Sequence, residues 1–453
     1  MEFKDYFKNK KVTVMRIGLL GRGIGDTAYL AEAGAEVHVV DDAAKEAMQP
    51  AVDALADYNN VKFTFGPYQT EHFTDCDYLL VGAGAPIDSP EIQAAREAGV
   101  SVKQSAAWFA ELAKIPIIGV TGTRGKSTVT HMIHHTLAQV TGEKILLGGN
   151  IRGVSNLQLL KEVKEDSLCV MELDSWQLQG FGWSQISPQI AVFTNFMEDH
   201  LNYYQSGGKT KEEAMQQYFA DKANIFAHQE ESGVLITTPA VFDRAKQLSG
   251  VSLGQEVRLA DASVIPDDSL LAMPGEHNRL NAALAYEALK AISLTDEEIW
   301  PALASFGGVE GRLQYLGAKE TVAVYNDNNA TTPQATVAGL EAVGGENDVV
   351  LIVGGTDKQI ELGALPDTIA QRCSHVVLYS GTGTEALKAA LPESVTNEEH
   401  ATLAECVTAA FATAAPGNVI LFSPGFSSFG KEYKNEYDRN DQFVRLAQQL
   451  IGE

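Results

Sequence analysis

Residues 119–128 read Gly-Val-Thr-Gly-Thr-Arg-Gly-Lys-Ser-Thr and bring together groups that hold a phosphate chain. Gly122, Thr123 and Gly125 let backbone amides approach an anion. Lys126 can reach β- and γ-phosphate oxygens, and the Ser127 hydroxyl, followed by Thr128, can ligate Mg²⁺. The strict GxxxxGK[ST] spacing is missed by one residue, because position 120 is Val. An apolar run, Ile117–Val120, precedes the loop and a helical pattern, Ser127–Val140, follows it, as a P-loop requires.

Further chemistry-bearing residues lie at the ends of apolar runs. Glu172 ends the run Cys169–Leu173, and Asn195-Phe-Met-Glu-Asp-His200 follows Ile190–Thr194. A carboxylate and an imidazole there could hold one or two Mg²⁺; the plain alternative is a solvated rim. Asn278 and Asn281 sit three apart at a helix start, where they could read a purine or Asn278 could cap the helix. Arg312, Asp327, Thr331, Lys358, Ser427 and Ser428 follow strand or turn patterns of the last third, and each alone reads as a loop residue. Near the start, Gly21, Gly23 and Gly25 lie between a strand pattern and a helix pattern. They lack the GxGxxG spacing, since residue 26 is Asp, expected to face the phosphate position. Asp41 and Asp42 end the next strand. A nucleotide diphosphate other than NAD is the favoured ligand of this loop, and an empty tight turn is the alternative.

The elements that position these groups alternate along the chain. Expected strands are Arg16–Leu20, Glu36–Val40, Tyr78–Val81, Ile117–Val120, Cys169–Leu173, Ile190–Thr194, Val349–Val353, His375–Tyr379 and Val419–Phe422. Continuous apolar runs of this kind suit strands buried on both faces, so the class is α/β with doubly wound parallel sheets. Breaks near Leu112–Pro116 and Phe306–Gly311 divide the 453 residues into three expected domains, 1–114, 115–308 and 309–453. Thirty-four basic against 59 acidic residues give a net charge of −25, which argues against nucleic acid and anionic membranes as partners. No apolar run approaches the ~20 residues of a membrane span. Met1–Lys11 is charged without an apolar core, and Cys76, Cys169, Cys373 and Cys406 are scattered. A cytoplasmic chain with reduced thiols is the expectation.

Taken together, GVTGTRGKST, VMELDSWQLQ, TNFMEDHLNYY, GEHNRLNAAL, FGGVEGR, YNDNNATTPQAT, IVGGTDK and ILFSPGFSSFG run in order over nearly the whole chain. This series resembles the Mur ligase family, ATP-dependent amide ligases of peptidoglycan precursor synthesis, and within it the D-glutamate-adding members. The resemblance implies a Rossmann-like N-terminal domain binding the UDP-substrate, a central P-loop ATPase-type domain, and a Rossmann-like C-terminal domain binding the amino acid. It implies that ATP phosphorylates the carboxylate of UDP-N-acetylmuramoyl-L-alanine and that D-glutamate attacks the acyl phosphate, in a monomer using two Mg²⁺. Alternatives are addition of L-glutamate or another acidic amino acid, glutamate transfer to folate, and a silent Mur-like subunit.

By matching motif, Lys126, Glu172, His200 and Lys222 would be catalytic, with Ser127, Glu172 and His200 on metal. Asn278, Asn281, Arg312 and Asp327 would serve ATP; Gly21, Gly23, Gly25, Asp41, Asp42, Asn150, Ser175 and His200 the UDP-substrate. Thr331, Lys358, Ser427, Ser428 and Tyr437 would face the amino acid. Lys222, by position alone a solvated helix lysine, would carry a CO₂-derived carbamate as a metal ligand. The chain departs from the family pattern at Arg124 (usually Asn), Asp174 (usually Ser), Asn329 (usually Lys) and the turn Gly82–Pro86.

Overall fold

The computed structural model describes residues 3–452 except 19–20, 83, 87, 249–252, 254, 267–270, 272, 274, 358–360, 429–432 and 434–435. Lys358 therefore lies outside the described residues. Three sheets follow one another along the chain. The first comprises β1 (Lys11–Met15), β2 (Glu36–Asp41), β3 (Val61–Phe65), β4 (Tyr78–Val81) and β5 (Ser101–Lys103). All its strands are parallel, in the order β3-β2-β1-β4-β5.

The second comprises β6 (Ile117–Thr121), β7 (Leu146–Gly149), β8 (Cys169–Glu172), β9 (Ile190–Phe193), β10 (Val234–Thr237) and β11 (Glu256–Leu259). It is also parallel, in the order β11-β10-β9-β6-β8-β7. The third comprises β12 (Gln314–Lys319), β13 (Val322–Asn326), β14 (Val349–Gly354), β15 (Cys373–Tyr379), β16 (Asn397–His400) and β17 (Val419–Phe422). Its order is β12-β13-β17-β14-β15-β16, with β12 antiparallel at the edge.

Two compact units contain these sheets. One, residues 1–264 with 280–302, holds the first two; the other, 265–279 with 303–453, holds the third. The helix Glu276–Ala291 begins in the second unit and continues in the first.

Central strands are largely apolar because helices cover both faces: every residue of β6, β8, β9, β10 and β14 is buried, with Thr121, Glu172 and Thr237 as polar residues at the strand ends. An aromatic cluster near the start, Phe7 edge-on to Tyr29 and Trp108, seals the first unit. All four cysteines are free, and three are buried. No described helix is long and apolar enough to cross a membrane.

The first strand differs from expectation. It runs Lys11–Met15, not Arg16–Leu20. Arg16 (φ 60°) and Gly18 (φ 66°) break the pleat, so Ile17, though buried in the core, belongs to the turn, and the strand itself contributes Val12, Val14 and Met15. The helix that follows starts at Arg22, which puts Gly23 and Gly25 inside it.

Candidate active site

Topology gathers the P-loop residues. β6 lies between β8 and β9, with Val120 paired to Glu172 on one side and to Val192 on the other. Chain order reverses here, the switch point at which α/β sheets bind ligands beyond their carboxyl ends. Strand β6, the loop and the helix Lys126–Thr141 reproduce the expected setting. Gly125 is left-handed (φ 81°), and a Cβ there would stand 2.4 Å from the Asn281 carboxamide oxygen, so only Gly fits. Asn281 thus lies directly against the loop, while Asn278 belongs to the other unit and sits inside its helix, not at the cap.

The segment after β9 braces the same loop. Asn195 Oδ1 accepts from the Arg124 N–H at 2.9 Å and its Nδ2 donates to the Arg124 carbonyl at 3.1 Å. Thr194 Oγ1 donates to that carbonyl too, at 2.5 Å. Thr123 Oγ1 accepts from Met197 N at 3.0 Å, and the Arg124 side chain reaches Asp199 at 3.1 Å. Thr194 and Arg124 were given no ligand role from the sequence; their signal was membership of the motifs TNFMEDHLNYY and GVTGTRGKST.

Two lysines converge on the Gly122 carbonyl. Lys126 Nζ donates to it and to the Thr123 carbonyl, both at 3.1 Å. Lys222 Nζ donates to it at 2.7 Å and lies 3.4 Å from Thr121 Oγ1. Far from being solvated, Lys222 is 1 % exposed. Burial holds its amine well below the ordinary lysine pKa, and Lys126 pushes the same way against Asp174, Asp199 and Glu172.

His200 is left-handed (φ 54°), a conformation that costs a non-glycine residue about 1 kcal/mol. Its ring packs on Trp176 and Tyr218 at 4.7 and 5.8 Å, and Nε2 is 3.9 Å from Asp199. Burial lowers its pKa, aided by Lys222 and Lys126 and opposed by Asp199 and Asp174, so the imidazole is neutral near pH 7. Glu172 is buried and accepts from Asn150 Nδ2 at 3.2 Å. Asp174 caps the helix Ser175–Ser184 in a capping box with Gln177. Ser and Asp cap equally well, so that departure has a structural answer. Ser175, the next residue, is buried.

The first glycine loop connects to this site. Arg22 Nη1 donates to Asn150 Oδ1, the same carboxamide that touches Glu172. A cavity of about 190 Å³ opens beside the loop, lined among others by Gly18, Arg22, Gly23, Gln104, Asn156 and Gln177. Of the expected UDP-substrate residues only Gly23 is in its described lining. Asp41 is buried and accepts from Ala43 N at 3.0 Å, bracing its turn, while Asp42 pairs loosely with Arg16 at 3.7 Å. Asp26 also lines this cavity, but its carboxylate is buried and engaged within the protein. It turns inward and accepts from Ser155 Oγ at 2.6 Å and Leu157 N at 3.0 Å, and burial raises its pKa.

In the other unit, Asp327, Ser423, Thr356 and Ser427 follow the adjacent strands β13, β17 and β14. Asp327 accepts from Ser423 Oγ at 2.9 Å and Leu313 N at 3.1 Å. Burial raises its pKa to about 7 against those bonds and Arg312. Ser427 Oγ donates to the Thr356 carbonyl at 3.2 Å, and Ser428 is buried beside it. Thr331 and Tyr437 are half-buried. Asn329, where a lysine was expected, donates to the Glu310 carbonyl at 3.2 Å. Buried Arg439 holds the same segment, donating to Asn328 Oδ1 at 2.8 Å and the Asn328 carbonyl at 3.1 Å.

No group of three or more His, Cys, Asp or Glu close enough to share one metal occurs among the described residues. A neutral imidazole, the Glu172 carboxylate and the Ser127 hydroxyl around a phosphate loop nevertheless suit Mg²⁺, which keeps waters and phosphate oxygens as most of its ligands.

All three parts of the chain match known proteins. Residues 10–104 match the family model for the Mur ligase MurD-like N-terminal domain, 120–247 the Mur ligase middle domain, and 311–426 the Mur ligase glutamate ligase domain. The UDP-N-acetylmuramoylalanine–D-glutamate ligase of Roseiflexus sp. (strain RS-1) is 30% identical, covering 97% of this chain and 98% of its own. Its counterpart from Acetivibrio thermocellus is also 30% identical, covering 99% and 98%.

The fold is similar to that of UDP-N-acetylmuramate–alanine ligase from Thermotoga maritima (TM-score 0.58, 18% identity, 98% of this chain and 100% of that one). It is also similar to the MurF ligase of Thermotoga maritima in complex with ADP (TM-score 0.56, 13% identity, 99% and 96%). With three consecutive family domains and full-length relatives at 30% identity, the chain belongs to the Mur ligase family.

Proposed function

We propose that the protein is an ATP-dependent amide ligase that joins D-glutamate to UDP-N-acetylmuramoyl-L-alanine through an acyl phosphate, in peptidoglycan precursor synthesis. The observation that carries this reading is the gathering of Lys126, Glu172, His200 and Lys222 about one P-loop. The full-length relatives named as D-glutamate ligases support the choice of amino acid. The three-domain division, 1–114, 115–308 and 309–453, follows the three sheets.

The loop amides from Gly122 to Thr128 and the Lys126 ammonium hold the ATP phosphates, with Asn278 and Asn281 at the base and Arg312 and Asp327 at phosphate and ribose. Phosphoryl transfer asks mainly for position and charge neutralisation, which these groups supply. Gly21, Gly23 and Gly25 with Asp41 and Asp42 hold the UDP end, while Asn150, Ser175 and His200 orient the muramoyl-alanyl end. Thr331, Lys358, Ser427, Ser428 and Tyr437 bind the glutamate.

Ser127, Glu172, His200 and Lys222 hold two Mg²⁺. When bound, Mg²⁺ neutralises the repulsion between ATP and the substrate carboxylate. Lys222 serves as its carbamate: the neutral Nζ lone pair bonds to the carbon of CO₂, a C=O electron pair moves onto oxygen, and the N–H proton leaves to solvent. Burial of the amine, which with Lys126 beside it pulls its pKa well down, supports this step. The UDP-substrate carboxylate attacks the γ-phosphorus, ADP leaves, and the glutamate amine then attacks the acyl carbon. The amine loses a proton and phosphate departs.

Phosphate release with Mg²⁺, ATP and UDP-N-acetylmuramoyl-L-alanine, varying only the amino acid, tests the reading. Release is expected with D-glutamate and not with L-glutamate or D-aspartate. Equal release with L-glutamate, or none with any acceptor, contradicts it.

A further inference from the structure

Asp221 immediately precedes Lys222, and its side chain is also buried, at 5 % exposure. Its Oδ2 accepts from Gln179 Nε2 at 2.7 Å and from Tyr204 OH at 3.0 Å, while Oδ1 accepts from Gln217 Nε2 at 2.8 Å. All three donors are neutral. A carboxylate buried among neutral donors is costly to keep, and burial raises its pKa against those same three bonds.

Its partners lie on the elements that carry the candidate metal ligands. Gln179 is on the helix Ser175–Ser184, which begins just after Glu172. Tyr204 closes the turn Leu201–Tyr204, which begins at His200. Gln217 is one turn back on Asp221's own helix, Lys211–Ala223. Consecutive helical residues project about 100° apart. With Asp221 anchored toward Gln179 and Tyr204, Lys222 is turned away from them, and its Nζ meets the Gly122 carbonyl at 2.7 Å.

We propose that Asp221 is a positioning residue for Lys222: its carboxylate fixes the rotation of helix 211–223 against the elements bearing Glu172 and His200, and so sets where the Lys222 amine and its carbamate stand. This rests on the carbamate reading above. The side chain of Asp221 bonds to Gln179, Tyr204 and Gln217, and it acts through its neighbour Lys222.

The test uses the full chain with MgADP and ¹³C-bicarbonate, following the carbamate carbon by NMR as bicarbonate is raised. Wild type shows the signal and Lys222→Ala does not. Asp221→Ala needs about tenfold more bicarbonate for half signal, and its kcat falls about tenfold while KM for ATP holds. Asp221→Asn stays close to wild type, because the amide oxygen still accepts from Gln179 and Tyr204 and Gln217 can turn to accept from the new NH₂. If Asp221→Ala does not fold, Tyr204→Phe, which deletes one donor and keeps the ring, shifts the titration about threefold. A bicarbonate titration unchanged in Asp221→Ala or Tyr204→Phe, even with a lower melting temperature, means that the network serves stability alone and overturns the proposal. No carbamate signal in wild type removes the Lys222 reading and this proposal with it.

Discussion

Lys126 and Lys222 share one carbonyl, yet chemistry assigns them different work. Lys126 is half-buried at a helix start, where a cation balances phosphate charge; Lys222 is buried, and burial pulls its pKa well below the ordinary lysine value, because a cation there is costly. Lys126→Ala is expected to abolish phosphate release without unfolding the chain, and no small molecule restores it. Lys222→Ala is expected to be nearly inactive and to regain part of its turnover in acetate, which supplies the missing carboxylate oxygens. A stopped phosphate assay, with and without acetate, checks both. Near-normal turnover in either variant contradicts its assignment. Residue types were legible in the sequence here, but not burial: helical position alone made Lys222 a solvated lysine, whereas its helix neighbours Tyr218, Phe219 and Ala223 are buried too and its Nζ lies 5.0 Å from the Tyr218 ring. The burial of Asp26 was illegible for the same reason, since its partners Ser155 and Leu157 are distant in sequence.

Among elements, most strands buried on both faces announced themselves and the half-covered edge strands did not, although Val234–Thr237, buried at every residue, was also missed. Tyr78–Val81 and Val419–Phe422 were expected at the residues observed. The strands Val61–Phe65, Glu256–Leu259 and Asn397–His400 were missed, because they lie at sheet edges and mix polar residues into short runs. The β13–helix turn carries a testable cost. Asp327 is buried with a pKa of about 7, above its ordinary value of 3.8. Between those values the folded state keeps a proton that the unfolded chain has lost, so this group lowers stability as pH rises from about 4 to 7 and adds no further change above that. Asp327→Asn is expected to melt higher than wild type at pH 8, by an increment that shrinks to nothing near pH 4, while its ligase activity falls. Melting curves of both proteins across that range check the sign. An increment that grows toward acid contradicts the buried-carboxylate account.

Over the whole chain, a net charge of −25 serves a protein whose proposed substrates are all anions, so binding must come from local donors and not from a general field. Those donors gather where strand order reverses: the first glycine loop beyond β1 and the P-loop beyond β6. The α/β class and the three successive sheets were legible from alternating apolar runs. The grouping of the first two sheets in one compact unit was not, because it depends on contacts such as Asp26 with Ser155 and Gln104 with Gly180.

The central claim is that ATP activates the substrate carboxylate before the amide forms. UDP-N-acetylmuramoyl-L-alanine labelled with ¹⁸O in its alanyl carboxylate, turned over with ATP and D-glutamate, measures this directly by mass spectrometry of the released phosphate. One ¹⁸O from each labelled carboxylate should appear in that phosphate; unlabelled phosphate, formed as product accumulates, would contradict the acyl-phosphate account.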